Sequence, residues 1–214
     1  MMKRAIIISN GSISDYSFYK NFFKTTDYII CADGGIKHCL NLGIVPDLWI
    51  GDFDSCNLGE ICEDNPELKS VEILGLNPCK DETDTHKACI IAIEKGYKEI
   101  ALIGSIGTRL DHSLSNIHLL EFMHEKGISA SLVNENNTVR IFDKYIKLAK
   151  NRKYLSLVPL DASVTVTDTF GLKYPLHNFL LKRSVSMGVS NEVCGESAEI
   201  HIKNGMMLII ESND

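Results

Sequence analysis

No stretch of about 18 consecutive apolar residues occurs in the chain, so a membrane-spanning helix is not expected. The seven cysteines, Cys31, Cys39, Cys56, Cys62, Cys79, Cys89 and Cys194, are odd in number and include no C-x-x-C pair. That indicates neither a disulfide framework nor a zinc ribbon, and a reducing cytoplasm is the expected compartment. Basic residues are short as well: 22 Lys and Arg stand against 28 Asp and Glu, and the net charge of −6 gives no electrostatic footprint for nucleic acid. There is no G-x-x-x-x-G-K-[ST] loop and no G-x-G-x-x-G fingerprint. The start, Met1 to Arg4 followed by Ala5 to Ile8, imitates a signal peptide. Its apolar stretch breaks at Ser9-Asn10-Gly11, short of an h-region of about 7 to 15 residues, and reads as a first strand.

What is present is the composition of an ordinary soluble chain, 44% hydrophobic and 23% charged, with length enough for two small domains. Residues 1–134 alternate short apolar runs with helical periodicity, which predicts a Rossmann-like α/β domain with a mostly parallel sheet. The strand candidates are Ala5 to Ser9, Tyr28 to Ala32, Leu48 to Gly51, Ser70 to Leu74, Ile100 to Gly104 and Ser129 to Val133. Three helices are expected between them, ending at Gly43, Gly96 and Gly127. Residues 135–214 turn to short β-branched stretches, Tyr154 to Val158, Ser163 to Thr167, Ala198 to Ile202 and Met206 to Ile210, so an all-β sandwich or partly open barrel is expected. Asn204-Gly205 reads as a type I′ hairpin turn between the last two.

Four clusters fall at strand ends in the first domain. Asp33-Gly34-Gly35 follows an apolar run; alone it is a tight connection. "PDLWIGDFDS" carries Asp52 and Asp54 at i and i+2, expected to face the same way on an extended segment, where two like charges call for a cation such as Mg²⁺. "KDETD" supplies Lys80, Asp81, Thr83 and Asp84 at a helix start, as caps or as a phosphate site. "GSIGTRLDHSLSN" joins a strand to a helix through two glycines, Arg109, Asp111 and His112. Arg109 suits bidentate phosphate contact, and His112 reads as a polar ligand contact. The single Trp49 is expected in the core. All four clusters should converge outside the carboxyl ends of the strands, where open α/β sheets bind ligands.

With "CADGG", "PDLWIGDFDS", "KDETDTHKA", "GSIGTRLDHSLSN" and "GVSNEVCGESAEIHIKNGMMLII" in this order, the chain resembles the thiamine pyrophosphokinases (thiamine diphosphokinases) over nearly its whole length. The resemblance implies an ATP-binding catalytic α/β domain and a thiamine-binding, dimerising β-sandwich, forming a homodimer with active sites at the interface. It implies transfer of the pyrophosphoryl group of ATP to the hydroxyl of thiamine, with Mg²⁺, giving thiamine diphosphate and AMP. Asp52, Asp54 and Asp84 would hold Mg²⁺, supported by Asp81. Asp33, Gly34 and Gly35 would line the nucleotide side, with Lys80, Thr83 and Arg109 on phosphates and Asp111, His112, Ser115 and Asn116 nearby. Ser190 and Asn191 would contact thiamine. The proton acceptor stays open between Asp81 and Asp84. A pterin diphosphokinase and a non-catalytic nucleotide sensor are the competing readings. Many bacterial members carry a second glycine where this chain has Thr108; a β-branched residue there is expected to keep φ negative.

Overall fold

The computed structural model describes residues 3–53, 58–77 and 81–214, so Asp54 and Lys80 lie outside the described residues. The chain divides into two compact units, Met1–Glu135 and Asn136–Asp214. In the first, β1 (Arg4–Ile8), β2 (Tyr28–Ala32), β3 (Leu48–Gly51), β4 (Glu72–Gly75), β5 (Glu99–Ile103) and β6 (Ser129–Val133) pair in parallel, in the order β4-β3-β2-β1-β5-β6. The helices are α1 (Ile36–Leu42), α2 (Leu58–Asp64), α3 (Asp84–Glu94) and α4 (Leu110–Glu125). The chain steps outward from β1 to β4 and then crosses to the far side of β1 for β5 and β6. That reversal parts the loops after β1 and β5 and opens a crevice between them.

The central strands RAIII, YIICA and EIALI are buried after their first residues, as strands covered on both faces must be. Helices α1 and α3 both pack on β1 and β2. Gly43 closes α1 in the left-handed conformation, with φ 65. No periodicity predicts α2, and it buries none of its seven residues. The start of β1 is fastened by Arg4, which donates through Nε (3.0 Å) and Nη2 to Asp27 and through Nη2 to Phe22 O (2.7 Å). The Asp27 side chain is fully buried and also accepts from the Lys24 amide at 2.7 Å. No helix among the described residues is long and apolar enough to cross a membrane.

The second unit is a β-sandwich. Strands β7 (Asn137–Phe142), β8 (Tyr145–Ala149), β9 (Tyr154–Pro159), β10 (Ser163–Phe170), β11 (His177–Lys182), β12 (Ser197–Asn204) and β13 (Met207–Ser212) form two antiparallel layers, β7-β13-β9 and β11-β10-β12-β8. Alternate residues of both layers, among them Leu155, Leu157, Val164, Val166, Ile200, Ile202, Met207 and Ile209, meet in one core. The hairpin expected at Asn204-Gly205 does not form. Strand β12 is flanked by β10 and β8 and β13 by β7 and β9, so neither has an edge left for the other. Only Gly205 takes positive φ (78), where a type I′ turn needs two such residues, and the turn crosses between layers with Met206 N bonded to Asp161 Oδ2 at 2.8 Å.

The Arg4–Asp27 pair sets a stability test. Burial opposes the Asp27 carboxylate, but the hydrogen bonds from Arg4 and the Lys24 amide outweigh it and hold its pKa below the usual value. A depressed folded pKa means that this stability is complete above the unfolded value of about 3.9 and is lost as pH falls through the folded one. Denaturant unfolding of Asp27→Asn, which strands Arg4, is expected to show a loss of about 3 kcal/mol at pH 7, with the gap from the wild type closing below about pH 4.

Candidate active site

The loops leaving β1 and β5 are tied together before they part. Ser9 N donates to Ile103 O (3.0 Å), Gly11 N to Gly104 O (2.5 Å) and Ser12 N to Ile106 O (2.8 Å). A side chain at Gly11 would strike the carbonyls of Gly104 and Ile106, the latter at 2.6 Å from Cβ. Main chain therefore packs on main chain at this crossing.

Beside it opens a cleft of about 530 Å³. Ser9 to Ser12 line it from the loop after β1, Asp33 from the end of β2, Asp52 from the end of β3, and Glu82 to Thr85 from the start of α3. Gly104, Ser105 and Gly107 to Arg109 follow β5, and His112 and Asn116 belong to α4. Seven residues expected from the sequence thus come together: Asp33, Asp52, Thr83, Asp84, Arg109, His112 and Asn116. Sequence reasoning passed over Ser9 to Ser12 and Ser105, whose small uncharged side chains give little chemical signal. The one available clue was position, since "SNGS" follows a buried strand just as "DGG" does.

Asp33 sits in a strained setting. Its φ is 47, its carbonyl accepts from the Trp49 indole N–H at 3.0 Å, and its Oδ1 is buried without a hydrogen-bond partner. Trp49 is fully buried, as expected, and serves as a pedestal. The two glycines that follow are crowded by the protein's own chain: a Cβ at Gly35 would lie 2.9 Å from the Ile8 carbonyl carbon, where no side chain fits, and one at Gly34 would lie 2.9 Å from the Asn10 amide oxygen and displace that side chain. Both glycines lie outside the cleft lining.

At the start of α3, Thr83 caps the helix by accepting from His86 N (3.2 Å), and the Ser9 and Thr85 hydroxyls share a buried hydrogen bond of 2.8 Å. In α4, Asn116 is buried and donates to Ser105 O at 2.7 Å. Arg109, at the rim, pairs with Asp111 at 2.6 Å, both largely exposed. The hydrogen bond from Arg109 brings the Asp111 pKa down to about 2. Ser115 and Asp81 are exposed and, like Asp111, outside the lining. Thr108 is absent from the positive-φ residues, as its β-branch predicted. Phe53 does take positive φ (55), so the segment after β3 is not extended. The expected pairing of Asp52 with Asp54 lies outside the described residues. Among the described residues no three His, Cys, Asp or Glu stand close enough to hold a metal ion.

In the second unit, Ser190 is exposed with φ 57, and its amide donates to Ser156 Oγ at 3.0 Å. Asn191 is buried and used locally: its Oδ1 accepts from the Tyr174 and Glu192 amides (3.0 and 2.8 Å), and its Nδ2 donates to Tyr174 O (2.8 Å).

A family model described as "Thiamin pyrophosphokinase, catalytic domain" matches residues 19–132, and one described as "Thiamin pyrophosphokinase, vitamin B1 binding domain" matches residues 142–207. The chain is 29% identical over 188 residues to a thiamine pyrophosphokinase of Bacillus subtilis, covering 86% of this chain and 87% of that protein. A crystal structure of thiamine pyrophosphokinase from Bacillus subtilis superposes with a TM-score of 0.89 at 27% identity, covering 99% of this chain and all of the other. The thiamin pyrophosphokinase of Candida albicans, 18% identical, shares the fold with a TM-score of 0.81 over 99% of this chain and 90% of its own.

Two side chains can be tested directly. Carbon-13 titration of the Asp111 carboxyl is expected to show a midpoint near 2, returning toward about 3.9 in Arg109→Ala. Asn191→Ala strands the amides of Tyr174 and Glu192, and thermal or denaturant unfolding should register a loss of about 2–3 kcal/mol.

Proposed function

This chain belongs to the thiamin pyrophosphokinase family, and from that premise we propose that it transfers the pyrophosphoryl group of ATP to thiamine, giving thiamine diphosphate and AMP. The observation that carries the reading is the cleft at the β1/β5 reversal, where Asp33, Asp52 and Asp84 meet the N-terminal ends of α3 and α4. Two helix N-termini, with their positive dipole ends, and an arginine at the rim suit a polyphosphate. The thiamine hydroxyl oxygen attacks the β-phosphorus in line, the bond from that phosphorus to the α-phosphate bridging oxygen breaks, and AMP leaves with that oxygen. The hydroxyl proton passes to a carboxylate; of the two candidates, Asp84 lines the cleft and Asp81 does not. Positioning and charge neutralisation dominate such a transfer.

Mg²⁺ is ordinarily held by one or two carboxylates together with phosphate oxygens and water, so it needs no cluster of three acids. The cleft offers hard carboxylate oxygens singly, from Asp33, Asp52 and Asp84, and the partnerless Asp33 Oδ1 is an acceptor that a cation would satisfy. Asp52 and Asp84, with Asp54, are the residues we assign to holding it. When bound, the ion would neutralise phosphate charge and withdraw electron density from the transferred group. We assign thiamine recognition to the second unit, through Ser190 and Asn191, and a homodimeric assembly to the protein. Free thiols at all five described cysteines favour a reducing, cytoplasmic setting.

Incubation of the purified protein with ATP, thiamine and Mg²⁺ should release AMP and thiamine diphosphate in equal amounts, and neither without thiamine or with a chelator. ADP as the nucleotide product, or AMP released with a hydroxymethylpterin but not with thiamine, would overturn the reading. Asp84→Asn should lower kcat by about 10²- to 10³-fold while the melting temperature holds.

A further inference from the structure

The floor of the cleft is held from below by a side chain outside its lining. His38, on α1, is 8% exposed. Its Nε2 lies 2.7 Å from Gly11 O and its Nδ1 2.7 Å from Tyr16 Oη. A carbonyl oxygen only accepts, so the proton sits on Nε2. In the neutral ring Nδ1 is then an acceptor, and the Tyr16 hydroxyl donates to it. Asn41 Nδ2 in turn donates to Tyr16 Oη at 3.1 Å. The chain runs one way, from Asn41 through Tyr16 and His38 to Gly11 O, with a donor facing an acceptor at each of its three links. The ring also lies close against the β5 loop, since a Cβ at Gly104 would stand 3.3 Å from His38 Cδ2.

We propose that His38 is a positioning residue for the reaction: its Nε2–H fixes the Gly11 carbonyl and so the main chain of residues 9–12 that forms one wall of the cleft. The inference rests on the reading that this cleft takes ATP. Gly11 has no side chain to pack, and its own amide already holds Gly104 O. The Ser9–Thr85 hydroxyl bond holds the start of the wall, and at its middle the Gly11 carbonyl is held by a donor buried on α1. Without the donor, the wall opens more often and ATP must order it on binding. That raises the KM for ATP while the transfer step, once the wall is closed, is unchanged. Tyr16 acts one step further back: without its hydroxyl the imidazole is free to move its proton to Nδ1 and turn a lone pair on Gly11 O.

The test compares His38→Met, which keeps bulk without a donor, with His38→Gln, which places an amide N–H near the position of Nε2. Amide hydrogen exchange of the protein without ligands is expected to speed up about tenfold at Gly11 and Ser12 in the Met variant and much less in the Gln variant. The KM for ATP should rise by about five- to tenfold in His38→Met with kcat within about twofold, Tyr16→Phe falling between that variant and the wild type. A lower melting temperature in His38→Met, with exchange at Gly11 and Ser12 and the KM for ATP both as in the wild type, would assign His38 a purely structural role and sink the proposal. Failure of the wild type to bind ATP would remove the assigned reaction, and with it the role in catalysis, whereas wild-type activity with an unaltered His38→Met removes only the latter.

Discussion

Everything chemical in the first unit is arranged around the contact of two loops that leave the sheet at its reversal point. Gly11 lies on the carbonyls of Gly104 and Ile106, and Gly107 approaches to 3.2 Å from Gly11 Cα if given a Cβ. Main chain this close to main chain leaves no room for functional side chains at the crossing itself. The charged groups must come from the neighbouring strand ends and helix starts, and they do: Asp33 from β2, Asp52 from β3, Asp84 from α3 and Arg109 before α4. The crossing contributes shape and hydrogen-bonding main chain, and its surroundings contribute charge.

This division explains what could be read without coordinates. The buried central strands announced themselves as apolar runs, and the sequence bounds of β2, β3 and β6 agree with those of the structure. Glycine at the helix ends was equally plain. Strands β8 and β11 were missed because each is an edge of its layer and turns only two apolar side chains to the core, Ile146 and Leu148 or Phe179 and Leu181, too short an alternation to stand out among the neighbouring polar residues. Strand β7, NTVRIF, was obscured by Arg140, which pairs with the buried Glu211 of the adjacent β13. The Asn204-Gly205 signal was real as a turn and misleading as a hairpin. A turn dipeptide reports local backbone freedom, whereas pairing depends on which strand edges are already occupied.

Within the site, legibility followed charge. Carboxylates and the arginine stood out in the sequence, whereas Ser9 to Ser12 did not, because serine, asparagine and glycine are also the ordinary residues of loops. The glycine pair after Asp33 also has a reason within the fold: Gly34 faces Asn10 and Gly35 faces the backbone of Ile8 and Ser9, so the neighbours that press on "DGG" come from the end of β1 and the loop after it. Asn191 is a related case. Its amide clamps Tyr174 to Glu192, which fixes the backbone beside the exposed, left-handed Ser190. A role in presenting Ser190 and a role in holding the sandwich together are the same set of hydrogen bonds.

Asp33 and Arg109 mark the two ends of a gradient in preparation for a ligand. Asp33 is locked: a left-handed backbone, a carbonyl tied to the Trp49 indole, and a carboxylate oxygen buried with no donor. The left-handed backbone and the unsatisfied oxygen each cost free energy in the folded protein, of the order of 1–3 kcal/mol, and the indole hydrogen bond helps to hold the residue in that state. A cation or donor brought by the ligand recovers part of that cost, and the group needs no reorientation to meet it. Arg109 is the opposite case, largely exposed and already paired with Asp111. An incoming phosphate must compete with that carboxylate, and the exposure that screens the pair is what keeps the competition mild. The cleft therefore combines a rigid anionic wall with a cationic rim that yields, an order suited to the charged polyphosphate substrate proposed for it.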